Sequence, residues 1–270
     1  MKLSMVVSTS PTTFEAVAFQ GEVANHLRAL KAMGYEGVEL AIRDPGSVDG
    51  PALRALLQEV GLAVPALGTG QAYLADGLSF TNPSKGIRRA AVARIRAHIH
   101  LAAELGAMVV LGLIRGKVEG VPREQAVEWM LECLRECAQV AEDAGVRLVL
   151  EPVNRYESNL INTFEEALEV IREVGSSSLG LLGDTFHMNI EEPSIEGSLR
   201  LGGSLLWHVH VADSNRRAPG LGHLDFPSIL RTLQEVGYSG YLSAEILPFP
   251  DPHAASLQTV RYLKEVGGSS

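Results

Sequence analysis

Residues 142–153 read EDAGVRLVLEPV, and the organisation of the whole chain can be worked out from this stretch. A helical segment ends at Gly145, a short run of aliphatic residues follows, and that run ends at an acid, Glu151. Glycine is the residue expected just past a helix, because the backbone there turns into the left-handed conformation. The stretch therefore predicts a helix, a tight turn and a buried strand, with a carboxylate where the strand ends.

The same junction of helix, glycine and strand recurs along the chain, as AMGYEG, AELGAM and QEVGYSG. Strand patterns cover residues 3–8, 37–42, 64–68, 108–113, 148–153, 179–184, 206–212 and 241–246. Helical patterns with a period near 3.6 alternate with them, at residues 21–33, 51–60, 84–105, 123–144, 163–174, 194–202, 226–236 and 253–265. Eight such β-α units in 270 residues, with no linker between them, predict a single α/β domain over residues 1–270, a (β/α)8 TIM barrel.

A doubly wound open sheet is the alternative fold, and it often carries a glycine-rich phosphate loop after a strand. GTGQAYLADG, residues 68–77, is only a weak match to such a loop. We interpret this segment instead as a long, flexible loop over the mouth of the barrel.

Composition and charge exclude several classes of protein. The chain is 46% hydrophobic, enough for a large core, and its formal net charge is −9. Nucleic-acid binding relies on Lys and Arg that neutralise phosphates, so we expect no nucleic-acid partner. No run of about 18 apolar residues is present, which predicts no membrane span, and the N-terminal apolar run is too short for a signal peptide. Cys133 and Cys137 are spaced i,i+4 on one predicted helix; we expect reduced thiols and a cytoplasmic protein.

Charged residues lie at the ends of four consecutive predicted strands, where a TIM barrel has its active site. They are Glu151, Asp184, His210 and Glu245. A buried carboxylate is costly unless it is paired or bound to a metal, and three carboxylates with one imidazole suit Mn²⁺, Mg²⁺ or Co²⁺. We therefore predict a divalent metal site, the alternative being a ring of structural ion pairs with arginines. His208, one layer deeper than His210, is expected to be a hydrogen-bonded core residue.

Four long motifs resemble the ketose 3-epimerases, the D-tagatose/D-allulose 3-epimerase group of the xylose-isomerase-like barrels. They are EPVNRYESNLINT (151–163), DTFHMNIEE (184–192), HVHVADSNRRAPGLGHLDF (208–226) and SAEI (243–246). The resemblance implies an isomerase that inverts C3 of a ketose such as D-tagatose, D-allulose, D-fructose or L-ribulose. It also implies one Mn²⁺, Mg²⁺ or Co²⁺ ion per chain and a homodimer or homotetramer.

The same resemblance implies a role for each matching residue. Glu151, Asp184, His210 and Glu245 would bind the metal, and Glu151 and Glu245 would also be the acid/base pair. Oxygens around C1 to C3 of the substrate would be held by Glu157, His187 and Arg216. The expected reaction passes through an enediolate, because the C3 hydrogen of a ketose is acidified by the neighbouring carbonyl, and two carboxylates on opposite faces permit inversion.

Residues outside these motifs leave the substrate open. Arg115, in GLIRGK, and Arg43, in AIRDP, could clamp the carboxylate of a keto-acid sugar, a 5-ketogluconate or tagaturonate of inositol or uronate catabolism. The alternative for both is a surface salt bridge. His223, in GLGHLDF, could approach the substrate or cap the helix that follows. Glu39 could be an acid behind the metal ligands, and Tyr73 could cover the substrate.

Three other functions are weighed against the epimerase. A hydroxypyruvate-type or aldose–ketose isomerase would return the proton to the neighbouring carbon. An apurinic endonuclease of the same superfold would need further histidines early in the chain, and the predicted strands ending ALGTG and LGLIRG supply none. A sugar sensor without catalysis would need neither Glu151 nor Glu245.

His98 and His100 lie on a predicted helix and are expected to be packing or surface residues.

Overall fold

Eight parallel strands close into a barrel in a computed structural model that describes residues 1–268. Their bounds are β1 Lys2–Ser8, β2 Gly37–Ala41, β3 Ala66–Gly68, β4 Met108–Leu111, β5 Leu148–Leu150, β6 Leu179–Asp184, β7 Leu206–Val211 and β8 Tyr241–Ala244. Each strand pairs with the next along the chain, and β8 pairs with β1 to close the ring. A two-residue strand, Phe19–Gln20, pairs with the end of β1. The predicted TIM barrel is confirmed.

Helices surround the barrel and follow its strands. They are α1 Val23–Met33, α2 Gly50–Val60, α3 Gly70–Leu74, α4 Lys85–Leu105, α5 Arg123–Ala144, α6 Phe164–Val174, α7 Thr185–Glu191, α8 Ile195–Gly202, α9 Phe226–Glu235 and α10 Pro252–Gly267. The helices α3 and α7 are short additions at the C-terminal ends of β3 and β6. Among residues 1–268, no helix is long and apolar enough to cross a membrane.

Helix ends follow the local chemistry of the sequence. Gly145 ends α5 at φ 66°, and its N–H donates to the carbonyls of Ala141 and Glu142. A side chain would be strained in this left-handed conformation, which is why glycine marks the junction. At the start of α6, Thr163 and Glu166 form a reciprocal capping box.

Several predicted element bounds are wrong. The strands predicted over 108–113, 148–153 and 241–246 end at Leu111, Leu150 and Ala244, so Glu151 and Glu245 follow their strands instead of ending them. The segment 68–77, predicted as a loop, contains the helix α3. These differences lie at the C-terminal face, where the chain leaves the regular barrel to build the mouth.

A small layer of apolar side chains packs apart from the large core between sheet and helices. Its buried members are Ala66, Val110, Val149 and Leu182, from four neighbouring strands. Because side chains alternate along a strand, these residues share the inner side of the barrel. Cys133 and Cys137 lie in the other core, on α5, and both are free and buried thiols, as predicted.

Candidate functional site

A cavity of about 620 Å³, measured with its opening to solvent, lies at the carboxyl ends of the strands. Val6, Ala41 and Val110 form its apolar floor. Its polar wall consists of Glu39, Gln71, Glu151, Glu157, His187, His210, Arg216 and Glu245. The structure therefore brings together most of the predicted site residues. Asp184 is buried beside them at 1% exposure.

His210, on β7, is oriented by a buried acid on β2. Its Nε2 lies 3.0 Å from each carboxylate oxygen of Glu39, and Nε2 of His208 lies 2.7 Å from the same group. An ionised carboxylate only accepts hydrogen bonds, so both rings donate through Nε2. Burial acts to raise the pKa of Glu39, but the charges and hydrogen bonds of His210 and His208 hold it far below its ordinary value. Glu39 thus contacts the predicted metal ligand His210, and His208 is buried and hydrogen-bonded, as predicted for a core histidine.

The other ring nitrogen of His210 faces a group of carboxylates. Its Nδ1 lies 3.6 Å from Glu151 Oε1 and 3.9 Å from Asp184 Oδ2. Burial opposes a charged His210 ring, but the acids Glu39, Glu151 and Glu245 outweigh burial and raise its pKa well above the ordinary value. Ligation of a cation would require the neutral ring, with Nδ1 free of its proton.

Two buried atoms in this group have no hydrogen-bond partner, Asp184 Oδ2 and His210 Nδ1. The first carboxylate oxygen of Asp184 is already used, since it accepts the N–H of Phe186 at 2.7 Å where α7 begins. Ligand atoms of Asp184, His210 and Glu245 lie within 4.8 Å of one another. Buried polar atoms normally have partners, and a divalent cation with oxygen and imidazole ligands fits this arrangement.

Glu151 and Glu245 have opposite pKa shifts. Burial raises the pKa of Glu245 to about 8; the positive charges of His210 and Arg216 oppose this rise, and the charge of Glu151 adds to it. Burial would also raise the pKa of Glu151, but His210, whose Nδ1 lies 3.6 Å from Glu151 Oε1, brings it below its ordinary value. Two carboxyl groups shifted apart in this way are suited to acid and base roles.

Arg216 is held on four sides at the cavity wall. Its guanidinium lies 4.9 Å from the ring centroid of Phe14 and 4.7 Å from that of Phe186. It donates to Glu157 at 2.8 Å and to Glu245 at 3.1 Å. Aromatic faces attract a cation and leave its edge free for hydrogen bonding. The guanidinium is therefore fixed in the plane where it contacts the carboxylate of Glu245.

The backbone around Arg216 is equally constrained. Arg216 adopts φ 60°, unusual for a residue other than glycine. Its N–H donates to Asp213 O at 2.8 Å, and its carbonyl accepts from Leu247 N at 2.8 Å. The carboxylate of Asp213 accepts three further backbone N–H groups, from Ser214, Gly220 and Leu224. Asp213 thus shapes the loop after β7, and sequence reasoning missed it although it directly follows the HVHVA strand.

His187 and Glu157 are joined by another residue that was missed, Asn154. Its Nδ2 lies 2.7 Å from His187 Nδ1 and 3.1 Å from Glu157 Oε1, and its Oδ1 accepts the N–H of Tyr156 at 3.0 Å. Because Asn154 donates to Nδ1, the proton of His187 is on Nε2. That nitrogen lies 3.8 Å from Asp184 Oδ2, so His187 presents a donor beside the cation site.

Two predicted substrate residues are wrong. Arg115 is fully buried and does not line the cavity. Its guanidinium donates to the carbonyls of Gly112, Leu160 and Ile161 at 2.7–3.0 Å, so it is neither a clamp for a substrate carboxylate nor a surface salt bridge. His223 is exposed and outside the cavity, with Nδ1 2.9 Å from Ser214 Oγ.

The remaining predictions concern residues near the mouth. Arg43 forms a salt bridge with Asp76 at the surface, which confirms the alternative reading of that residue. Tyr73 lies on α3, outside the cavity described above but at the border of a neighbouring cavity. His98 is buried in α4 within 2.9 Å of the Ile42 carbonyl, as expected of a packing residue, and His100 is exposed.

The fold and the site together define a barrel enzyme, with paired carboxylates and histidines at the C-terminal face of a parallel eight-stranded sheet. The chain belongs to the family of xylose isomerase-like TIM barrels, whose profile matches residues 27–266.

Several proteins similar to this chain are sugar epimerases. The L-ribulose 3-epimerase of Mesorhizobium japonicum is 33% identical over 238 residues, 86% of this chain and 78% of the relative. A 3-dehydro-D-guloside 4-epimerase of Escherichia coli is 28% identical over 264 residues, 91% of this chain and 95% of the relative. The crystal structure of a D-allulose 3-epimerase from Methylomonas sp. in complex with D-allulose superposes with a TM-score of 0.82 at 25% identity, covering 98% of this chain and 97% of that one. The resemblance to the ketose 3-epimerases is confirmed.

Proposed function

We propose that this protein is a divalent-metal-dependent sugar epimerase that inverts C3 of a ketose. The observation that carries the proposal is the placement of Glu151 and Glu245 around one cavity beside the unpaired atoms of Asp184 and His210. The similarity to L-ribulose and D-allulose 3-epimerases supports the same reaction.

One cation, Mn²⁺, Mg²⁺ or Co²⁺, would be held by Glu151, Asp184, His210 and Glu245. When bound, it supplies Lewis-acid stabilisation of negative charge on the carbonyl and hydroxyl oxygens of the sugar. Glu39 accepts the Nε2–H of His210 and so aims Nδ1 of that ring at the carboxylates.

Glu151 and Glu245 would exchange the proton of the carbon that is inverted. An ionised Glu151 can accept the C3 proton, which leaves an enediolate, and a protonated Glu245 can return a proton to the other face. The two residues follow β5 and β8, which are not neighbours in the barrel, so they approach the cavity from separate directions. Each proton transfer contributes about 10²–10⁴-fold to the rate in enzymes generally.

Three residues would hold the sugar oxygens in place during that proton exchange. His187 donates from Nε2, and Arg216 offers a guanidinium edge beside Glu245. Glu157 accepts from Arg216 and Asn154 and retains acceptor capacity for a sugar hydroxyl. Donors placed where negative oxygen develops stabilise the transition state without reorganising.

A second candidate is inversion at C4 of a 3-keto glycoside. The near end-to-end match to the 3-dehydro-D-guloside 4-epimerase favours it. The chemistry is the same, because the inverted carbon carries a hydroxyl and adjoins a carbonyl in both substrates. A keto-acid sugar is less well supported, since the expected clamp, Arg115, is buried against backbone carbonyls.

The test is deuterium incorporation in D₂O, followed by NMR, with Mn²⁺-loaded protein. D-Tagatose, D-allulose, D-fructose and L-ribulose are compared with a methyl 3-keto glucoside. Deuterium at the inverted carbon, with formation of the epimer, is expected, and a hydroxypyruvate-type isomerase would instead give the aldose. Glu245→Gln should lose turnover while keeping its melting temperature, whereas Glu169→Gln, an exposed position on α6, should behave as wild type. Absence of exchange into every sugar would refute the proposal.

A further inference from the structure

The cavity at the barrel mouth continues outward into a second one. Phe14, Leu74, Leu113, Glu157 and Arg216 border both cavities, so the two cavities adjoin. The outer part is further bounded by the loop 13–16, by Tyr73 of α3, by Lys117, by Phe186 and by Leu247. A sugar bound through Glu157, His187 and Arg216 would fill the inner part and leave the outer part free.

The outer cavity has an apolar wall. Leu74 is 45% exposed although it borders both cavities, and Phe186 and Leu247 are only half-buried. Large apolar side chains left open to water at the mouth of a cavity are typical of a ligand-binding surface. Tyr73 adds an aromatic ring with a hydroxyl, a combination suited to a ligand with one apolar face.

The charges around the outer cavity indicate a neutral ligand. Its two bordering cations are both paired, Arg216 with Glu157 at 2.8 Å and Lys117 with Glu119 at 3.5 Å. Two acids, Glu15 and Glu157, border the same cavity, so a phosphate or carboxylate would also meet negative charge there. An aryl group or a second sugar ring would need only the apolar wall and a few hydroxyl contacts.

We propose that this outer cavity binds a neutral group attached to the reacting sugar, which favours the second candidate function above, inversion next to the carbonyl of a 3-keto glycoside, over inversion of a free ketose. The inference rests on that second candidate function, because the inner cavity must hold the α-hydroxyketone end of the same molecule. It adds Tyr73 and Leu74 as residues that determine specificity by contacting the substituent.

The experiment compares three probes on the Mn²⁺-loaded protein: phenyl 3-keto-β-D-glucoside, its methyl analogue and D-allulose. Deuterium incorporation next to the carbonyl gives kcat/KM for each. We expect the phenyl glycoside to exceed the methyl glycoside about tenfold, a difference that corresponds to a small apolar contact area. Tyr73→Ala and Leu74→Asp should each bring this ratio close to one. Leu201→Asp, at a 55% exposed leucine on α8, is the matched control and should leave the ratio unchanged.

Each other outcome has a defined meaning. Equal kcat/KM for the two glycosides, or exchange into D-allulose alone, overturns the inference and leaves the proposed epimerase standing. Equal losses on all probes in both variants also overturn it, since the residues would then act on the site as a whole. No exchange into any of the three probes overturns the inference, and no exchange into D-tagatose, D-fructose and L-ribulose as well refutes the proposed function itself. Thermal melting of each variant shows whether the protein tested is folded.

Discussion

Glu39→Gln is the substitution that most directly tests how the site is aligned. The carboxylate accepts from two imidazoles through contacts of 2.7 and 3.0 Å, and it lies at 1% exposure. A glutamine of the same size offers one acceptor oxygen and one donor nitrogen. One of the two histidines must then accept through Nε2, which places its proton on Nδ1. If that histidine is His210, the lone pair that faces Asp184 is lost.

The expected loss is in metal affinity. Partners that orient a ligating histidine typically contribute about 10–100-fold, which corresponds to about 1.4–2.7 kcal/mol of binding free energy. Titration calorimetry of metal-free protein with Mn²⁺ measures this directly, without relying on turnover. Glu36→Gln, at an exposed position just before β2, makes the same chemical change away from the site and should bind Mn²⁺ as wild type does. A folded Glu39→Gln protein with unchanged Mn²⁺ affinity would show that His210 needs no such alignment.

Three further predictions test separate parts of the molecule. Removing divalent ions with a chelator should abolish epimerisation, and adding Mn²⁺ or Co²⁺ should restore it. Activity that survives complete metal removal, checked by elemental analysis, would contradict the proposed metal site. Arg115→Met should lower the free energy of unfolding by about 3–5 kcal/mol, because three buried carbonyls lose a charged donor. Urea denaturation measures this loss, and a loss below about 1 kcal/mol would contradict the structural role of Arg115. The hydrogen bond from Arg43, with help from Arg94, lowers the pKa of Asp76 against the effect of burial. Because the pKa of Asp76 is lowered in the folded protein, its stabilising effect is complete above the unfolded value of about 3.9 and is lost as pH falls below it. The difference in free energy of unfolding between wild type and Asp76→Asn should therefore shrink in acid. A difference that does not change with pH would argue against the ion pair of Asp76 with Arg43.

Features that depend on nearby sequence could be predicted from it. The strands and helices follow from apolar periodicity and from glycines such as Gly145. The acids and histidine at the strand ends could be found because the barrel forces consecutive strand ends to one face, so sequence order gives spatial order. Glu39 was found for the same reason, although only the structure shows its contacts with two histidines.

Features that depend on loop packing could not be predicted. Arg115 follows a strand, as a residue at the mouth would, but the turn at Leu113–Arg115 folds its guanidinium under residues 160–161. Asn154 contacts His187, which is 33 positions away in the chain, and Phe14, near the N-terminus, contacts Arg216 of the loop after β7. Nothing in local spacing encodes these contacts.

The buried guanidinium of Arg115 also bears on how this scaffold could be altered. It fastens the loop after β4 to the segment that follows Glu151, so these two loops form one rigid block. Insertions or randomised codons in that block would disturb the placement of the Glu151 carboxylate. Substitutions at Glu15, Tyr73 and Lys117, which border the outer cavity and not the inner one, would change the shape of the entrance while the lining of the inner cavity stays intact.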